Sequence, residues 1–140
     1  MRNHESMDFY VPGIPVGKAR PRVTAYGTFT PARTKEYERL VGRCYCEAAR
    51  IRRESYSCPV KMMITVFVAP PKSMSKSMYA QAMRGEVIPL KKPDLDNIAK
   101  SILDALNGLA YKDDSQVYDL CIRKIYAEQH GVRVAMWWWL

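Results

Sequence analysis

Asp94-Leu95-Asp96-Asn97 and, further on, Asp113-Asp114 gather carboxylates in a chain that is otherwise basic. Lys100 follows Asp96 by four residues, a spacing that on a helix puts both side chains on one face, one turn apart. Carboxylates at i and i+2 around a helix entrance can converge on one cation, because the first of them keeps non-helical geometry, and the helix dipole favours anions there. In extended chain Asp113 and Asp114 project to opposite sides, so one of the pair faces Asp94 and Asp96. Three hard oxygen ligands suit Mg²⁺ or Mn²⁺. Such an ion acidifies a water and stabilises charge growing on a phosphoryl group, and a nearby lysine adds fixed positive charge. That is the equipment of metal-dependent phosphodiester hydrolysis. The same residues also have a plain structural reading. Asp94 caps the helix, Lys100 pairs with Asp96 and Asp104, and Asp113-Asp114-Ser115 forms a turn. Spacing leaves both readings open.

The surrounding composition bears on the choice. The chain has 140 residues and a net charge of +8, with an isoelectric point near 9.4. That length makes one domain, residues 1–140, able to bury a core without staples. The charge favours a polyanionic partner, nucleic acid first and an acidic membrane second. No apolar run is long enough to span a bilayer, and Met1-Arg2-Asn3-His4-Glu5-Ser6 lacks the apolar centre of a signal peptide, so a cytoplasmic location is expected. Cys44, Cys46, Cys58 and Cys121 show no CxxC pair and no histidine at ligand spacing. They read as buried, reduced thiols rather than zinc ligands.

Stepping along the chain, Asp8–Val11 is a short strand ended by Pro12-Gly13. Pro15-Val16-Gly17-Lys18-Ala19-Arg20-Pro21-Arg22 is an extended basic loop, its cations Lys18, Arg20 and Arg22 either gripping phosphates or simply solvated. Val23–Thr30 forms a hairpin around Tyr26-Gly27. Thr34 caps a helix to about Arg53, with Tyr37, Leu40, Val41, Cys44, Ala48 and Ile51 inward and Arg39, Arg43 and Arg50 outward. Cys58–Ala69 alternates but is apolar on both faces in its second half, which places it centrally in the sheet. Ser73–Arg84 is a helix closed by Gly85, its methionines filling the core. Asp94–Asn107 is the acidic helix, with Leu95, Ile98, Ile102, Leu106 and Leu109 in its stripe and Asn107-Gly108 ending it. Gln116–Glu128 and Val132–Leu140 are strands. Neighbouring Trp137, Trp138 and Trp139 alternate faces, so they cannot all enter one core. The fold class is α/β, or α+β: a single compact domain whose mixed sheet packs with helices.

Lys92-Pro93-Asp94-Leu95-Asp96-Asn97-Ile98-Ala99-Lys100, then Leu103-Asp104-Ala105-Leu106-Asn107-Gly108, then Lys112-Asp113-Asp114-Ser115-Gln116-Val117, closely resembles the RusA family of Holliday junction resolvases. The Pro15–Arg22 segment also looks like that family's N-terminal element. The resemblance implies a Mg²⁺-dependent endodeoxyribonuclease of bacteria and their prophages. It implies a homodimer that nicks paired strands of a four-way junction in DNA recombination and repair. Its catalytic and metal-binding aspartates map onto Asp94, Asp96 and Asp114, and its essential lysine onto Lys100. Asp104 then reads as an ion-pair partner of Lys100, and Asp119 as a supporting or surface residue. Two other readings stay open. One is a less selective nuclease acting on branched or single-stranded DNA with the same metal site. The other is a non-catalytic basic DNA-binding module.

Overall fold

In chain order the elements are β1 (His4–Pro12), β2 (Arg22–Thr24), β3 (Gly27–Phe29), α1 (Ala32–Ala48), β4 (Val60–Val68), α2 (Lys76–Met83), α3 (Leu95–Leu106), a 3-10 turn (Asp114–Gln116), β5 (Val117–Tyr126) and β6 (Gly131–Trp139). The computed structural model describes residues 3–19, 22–29, 31–49 and 56–140, with the side chains of Arg22 and Phe29 outside the description. A mixed four-stranded sheet runs in the order β1-β6-β4-β5, and β2 and β3 pair separately as a hairpin. β6 is antiparallel to β1 and β4, while β4 and β5 are parallel. Among the described residues no helix is long and apolar enough to cross a membrane.

Alternation decides which face of the sheet is core. Val60, Met62, Ile64 and Val66 of β4 are fully buried, as are Val132, Val134, Met136 and Trp138 of β6. β4 is internal, as its two-sided apolar pattern requires. Against this face pack α1 and α3, which also pack on each other. Ile98, Ile102 and Leu106 of α3 are fully buried, each worth roughly 1.5–3 kcal/mol of apolar transfer. Trp138 donates its indole N–H to the Ala110 carbonyl at 2.9 Å, fixing the chain that leaves α3 to the sheet.

Several expectations shift. β1 begins at His4 rather than Asp8, because His4, Glu5 and Ser6 complete the backbone ladder opposite Trp139, Trp138 and Trp137. α1 starts after Pro31, not at Thr34; the extended proline supplies the N-cap position and accepts from Lys35 N–H. Thr34 lies buried in the first turn. α1 ends at Ala48 with Ala49 extended, short of Arg53, and Arg50, Ile51 and Arg53 lie outside the described residues. Its buried stripe is Thr34, Tyr37, Val41 and Tyr45, which leaves Ala48 exposed. Tyr45 instead meets Phe9 edge-on at 5.7 Å. Met78 of α2 is 41% exposed, and Ala82 is the residue that helix buries. All four cysteines are free, but Cys46 and Cys121 are exposed rather than buried.

Candidate active site at the entrance of the acidic helix

α3 begins immediately after Asp94, as its capping pattern and apolar stripe demand, and Gly108 at φ 77° follows its C-cap Asn107. Two tertiary clamps fix its entrance. From β5, the Lys124 ammonium donates to the Lys91 carbonyl at 2.6 Å and the Pro93 carbonyl at 3.2 Å. From the other side, the Pro15–Ala19 segment lies along the helix. Lys18 N–H donates to the Asn97 carbonyl at 2.8 Å, and the Ser101 hydroxyl donates to the Val16 carbonyl at 2.8 Å. A Cβ on Gly17 would come within 3.0 Å of Asn97 Cβ and 3.5 Å of Pro93 Cβ, so glycine permits this close approach.

Lys18 is drawn into the same clamp. Its ammonium pairs with Glu38 of α1 and, at 3.2 Å, with Asp104 of α3. Its side chain is only 15% exposed. Burial alone would lower its pKa, but hydrogen bonds and charges from Glu38 and Asp104 outweigh that and raise it above the usual lysine value. The charge is therefore committed to two carboxylates within the fold. Arg20 lies outside the described residues, and Arg22 is described only in its backbone.

On α3 the structural reading of the acidic block fails at each contact it needs, whereas at the Asp113 turn it holds. Asp94 occupies the N-cap position yet makes no side-chain cap hydrogen bond. Asp104 pairs with Lys18. Among the described residues Asp96 and Lys100 make no ion pair, with each other or elsewhere, and both are exposed. These are charges without a packing function.

Asp113 and Asp114 separate just as clearly. Asp113 caps the 3-10 turn: its carboxylate accepts from Ser115 N–H at 3.0 Å, while Gln116 Oε1 accepts from Asp113 N–H at 3.1 Å. Hydrogen bonds from the Ser115 side chain and backbone hold the Asp113 carboxyl below the usual range. Gln116 Nε2 then donates to the Tyr56 and Cys58 carbonyls, anchoring the turn to the chain before β4. The Asp114 carboxylate has no hydrogen bond or ion pair among the described residues. It lies near Tyr111, whose hydroxyl donates to the Leu103 carbonyl at 2.8 Å, one turn beyond Lys100 on α3. Burial, then the charges of Asp114, Asp104 and Asp113, push the Tyr111 pKa upward.

Asp94 and Asp96 thus stand at the N-terminus of α3, and the 3-10 turn that begins at Asp114 touches the same helix. Among the described residues no three His, Cys, Asp or Glu side chains form a ready metal-holding group. The donor chemistry fits a hard cation, since all three carboxylates are unengaged; a closed ligand cage is not preformed. Asp119 is excluded from the site. It stands on the opposite sheet face, 3.9 Å from Lys61.

Beside Asp94 runs an open groove of about 720 Å³, with Arg33 of α1, Lys92 and Asn97 in its walls. Neither Arg33 nor Lys124 carried a sequence signal, because each reaches the site only through tertiary packing. The profile of a family described as Endodeoxyribonuclease RusA matches residues 12–136. The chain belongs to the RusA family. That match takes in the Pro15–Ala19 strap, the acidic helix and the Asp113–Asp114 turn, so the resemblance read from those segments is borne out. RusA membership carries an endodeoxyribonuclease activity that acts on Holliday junctions at the level of the family. The chain is also similar to the uncharacterized protein YqaN of Bacillus subtilis (strain 168), 38% identical over 137 residues, covering 93% of this chain and 94% of that protein.

Proposed function

We propose that this RusA-family chain is a divalent-metal-dependent endodeoxyribonuclease that resolves four-way junctions by paired nicks, working as a homodimer on bacterial or phage DNA within the cell. One observation carries the reading. Asp94, Asp96, Lys100 and Asp114 are left without hydrogen-bond or ion-pair partners among the described residues, while the neighbouring Lys18, Asp104 and Asp113 are all engaged.

In this reading Asp94, Asp96 and Asp114 hold Mg²⁺ or Mn²⁺, and the ion when bound supplies Lewis-acid polarisation of the phosphate and a more acidic water. Lys100 presents its ammonium to the negative charge that builds on the phosphoryl oxygens and the leaving group. Lys92 and Arg33 bind backbone phosphates along the groove beside Asp94, and Arg20 and Arg22 are further DNA-backbone candidates by residue type alone. Lys18 serves by positioning: its pairing with Glu38 and Asp104 keeps the Pro15–Ala19 strap on α3. A two-fold dimer matches the approximate two-fold symmetry of a junction and offers one site to each of two opposed strands.

The lack of a preformed carboxylate cluster among the described residues favours one competing reading, a basic module that binds junctions without cutting them. Incubation of a synthetic four-way junction, a flap and a linear duplex with the protein, with and without Mg²⁺, separates these. Paired nicks near the crossover that need the metal support the resolvase. Cutting of flap or duplex at the same rate replaces it with a less selective nuclease. Salt-sensitive junction binding with no cut in Mg²⁺ or Mn²⁺ replaces it with the module.

A further inference from the structure

α2 is the helix with the least hold on the rest of the molecule. Of its residues only Ala82 is buried. Among the described residues it has no packing on the sheet or on the other helices to match that of α1 and α3. The chain nevertheless builds a shaped hollow there. β4 ends at Val68, Ala69 N–H donates to His130 Nδ1 at 3.2 Å, and Pro70-Pro71 then holds the backbone at fixed φ. Met74 N–H donates to the Pro71 carbonyl at 3.0 Å, closing a turn, and the Ser75 hydroxyl caps α2 by accepting from Met78 N–H at 3.2 Å. The result is an open pocket of about 430 Å³ walled by Pro70, Pro71, Lys72, Met74, Lys76 and Tyr79. Tyr79 is 39% exposed, and its neighbour Met78 is 41% exposed.

We infer that this pocket docks an acidic segment of a partner protein. One aromatic or large apolar side chain of the segment seats against Pro70, Pro71 and Tyr79, while its carboxylates meet Lys72 and Lys76. The pocket and the groove beside Asp94 share no lining residue, so the inference stands apart from the nuclease reading.

Chemistry selects the occupant. The walls hold two ammonium groups and no carboxylate. Neither Lys72 nor Lys76 makes an ion pair or hydrogen bond among the described residues. The nearest acid in sequence, Glu86, is taken up by Arg84 at 2.9 Å. Such a surface attracts an acidic partner and repels a basic one. Its apolar walls add nothing to the grip on a phosphate backbone, which rests on cations and hydrogen-bond donors. A single strand stacks its bases on successive aromatic side chains, and this pocket offers one ring. An aromatic side chain is better served. The two prolines are rigid before binding, so little order is lost, and Met74 adapts to a ring and gains a sulfur–aromatic contact.

Position gives the docking a consequence. β4 and β5 run parallel with Val66 opposite Lys124, and Lys124 holds the Lys91 and Pro93 carbonyls ahead of α3. The pocket opens just beyond that end of β4, so a docked partner is tethered at the end of the sheet that carries the acidic entrance.

Titrating the full chain into a fluorescein-labelled synthetic peptide that alternates aspartate with phenylalanine, read by fluorescence anisotropy, tests this. Saturable binding is expected, with a dissociation constant on the order of 10–100 μM. Tyr79→Ala and Lys72→Glu should each weaken it about tenfold or more, with circular dichroism unchanged. Arg39→Glu, the same change of charge on the exposed face of α1, should leave it as it was. Lys72→Glu decides the matter if Tyr79→Ala does not fold. No saturable binding below about 1 mM overturns the inference, as does an equal loss in Arg39→Glu or full binding in both pocket variants. Equal binding of a peptide with alanine in place of phenylalanine overturns it too. A labelled oligothymidine that binds more tightly than the peptide and is lost in the same two variants gives the pocket to single-stranded DNA instead. A sedimenting mass altered by Tyr79→Ala gives it to a second copy of the chain.

Discussion

Replacing Lys18 with methionine keeps the length of the side chain and removes its charge. Two contacts disappear, to Glu38 and to Asp104 at 3.2 Å, and two carboxylates that are 22% and 27% exposed are left facing one another. A net hydrogen bond to a charged group is worth about 1.5–3 kcal/mol. Partial exposure screens both contacts, so about 2–3 kcal/mol in total is the reasoned loss. At ~2.1 cal/mol/K per residue, unfolding entropy for this length of chain is ~0.3 kcal/mol/K, and Tm should fall by about 7–10 °C. Thermal unfolding followed by circular dichroism measures it. The pH dependence has a definite sign. Because the folded pKa of Lys18 is raised, its contribution is fully present below the ordinary value of 10.5 and is lost as pH rises through the folded value. The gap between wild type and Lys18→Met should therefore be flat through neutral pH and close only above about 10.5. A variant with unchanged Tm but weakened junction binding would refute the positioning role and return Lys18 to the DNA interface.

Asp114→Asn should lower junction cleavage by about a thousandfold with binding intact, whereas Asp113→Asn should retain cleavage and loosen the turn; comparing their single-turnover rates decides which aspartate serves the metal. The stabilising contribution of Asp113 is present above its ordinary pKa of 3.8 and lost as pH falls through its lowered folded value, so the Asp113→Asn defect should vanish in acid unfolding curves. Lys124→Met frees the Lys91 and Pro93 carbonyls, and should raise the Mg²⁺ concentration needed for half-maximal cleavage about tenfold while moving Tm little. Trp138→Phe leaves the Ala110 carbonyl unpaired in the core, and should cost about 2–4 kcal/mol in denaturant unfolding.

Much of the fold was legible because local signals and burial agree. α3 has an acidic entrance, a stripe at Ile98, Ile102 and Leu106, and an Asn107-Gly108 exit, all pointing to one helix. The tryptophan run resolves as alternation requires, Trp138 fully buried and Trp137 and Trp139 on the opposite face. The candidate site residues stood out for a different reason: a cluster of carboxylates with a lysine is conspicuous in a basic chain, although its spacing alone left a metal-binding and a structural reading open. What stayed hidden depends on contacts far apart in sequence. Nothing near Lys18 announces Glu38 twenty residues on, or Asp104 at the far end of α3. Lys124 reads as one polar residue in a strand until the sheet brings it beneath Pro93. The polar start of β1 has no pattern of its own and is strand only because β6 offers a ladder.

The most direct test of the central claim is the single-turnover rate of four-way-junction cleavage by wild type, Asp94→Asn and Lys100→Ala, measured in Mg²⁺ and in EDTA beside junction affinity. Metal-dependent cutting that falls by several orders of magnitude in both variants, with affinity and fold retained, is the predicted result. Cutting by either variant at the wild-type rate would contradict the assignment of these unengaged charges to catalysis.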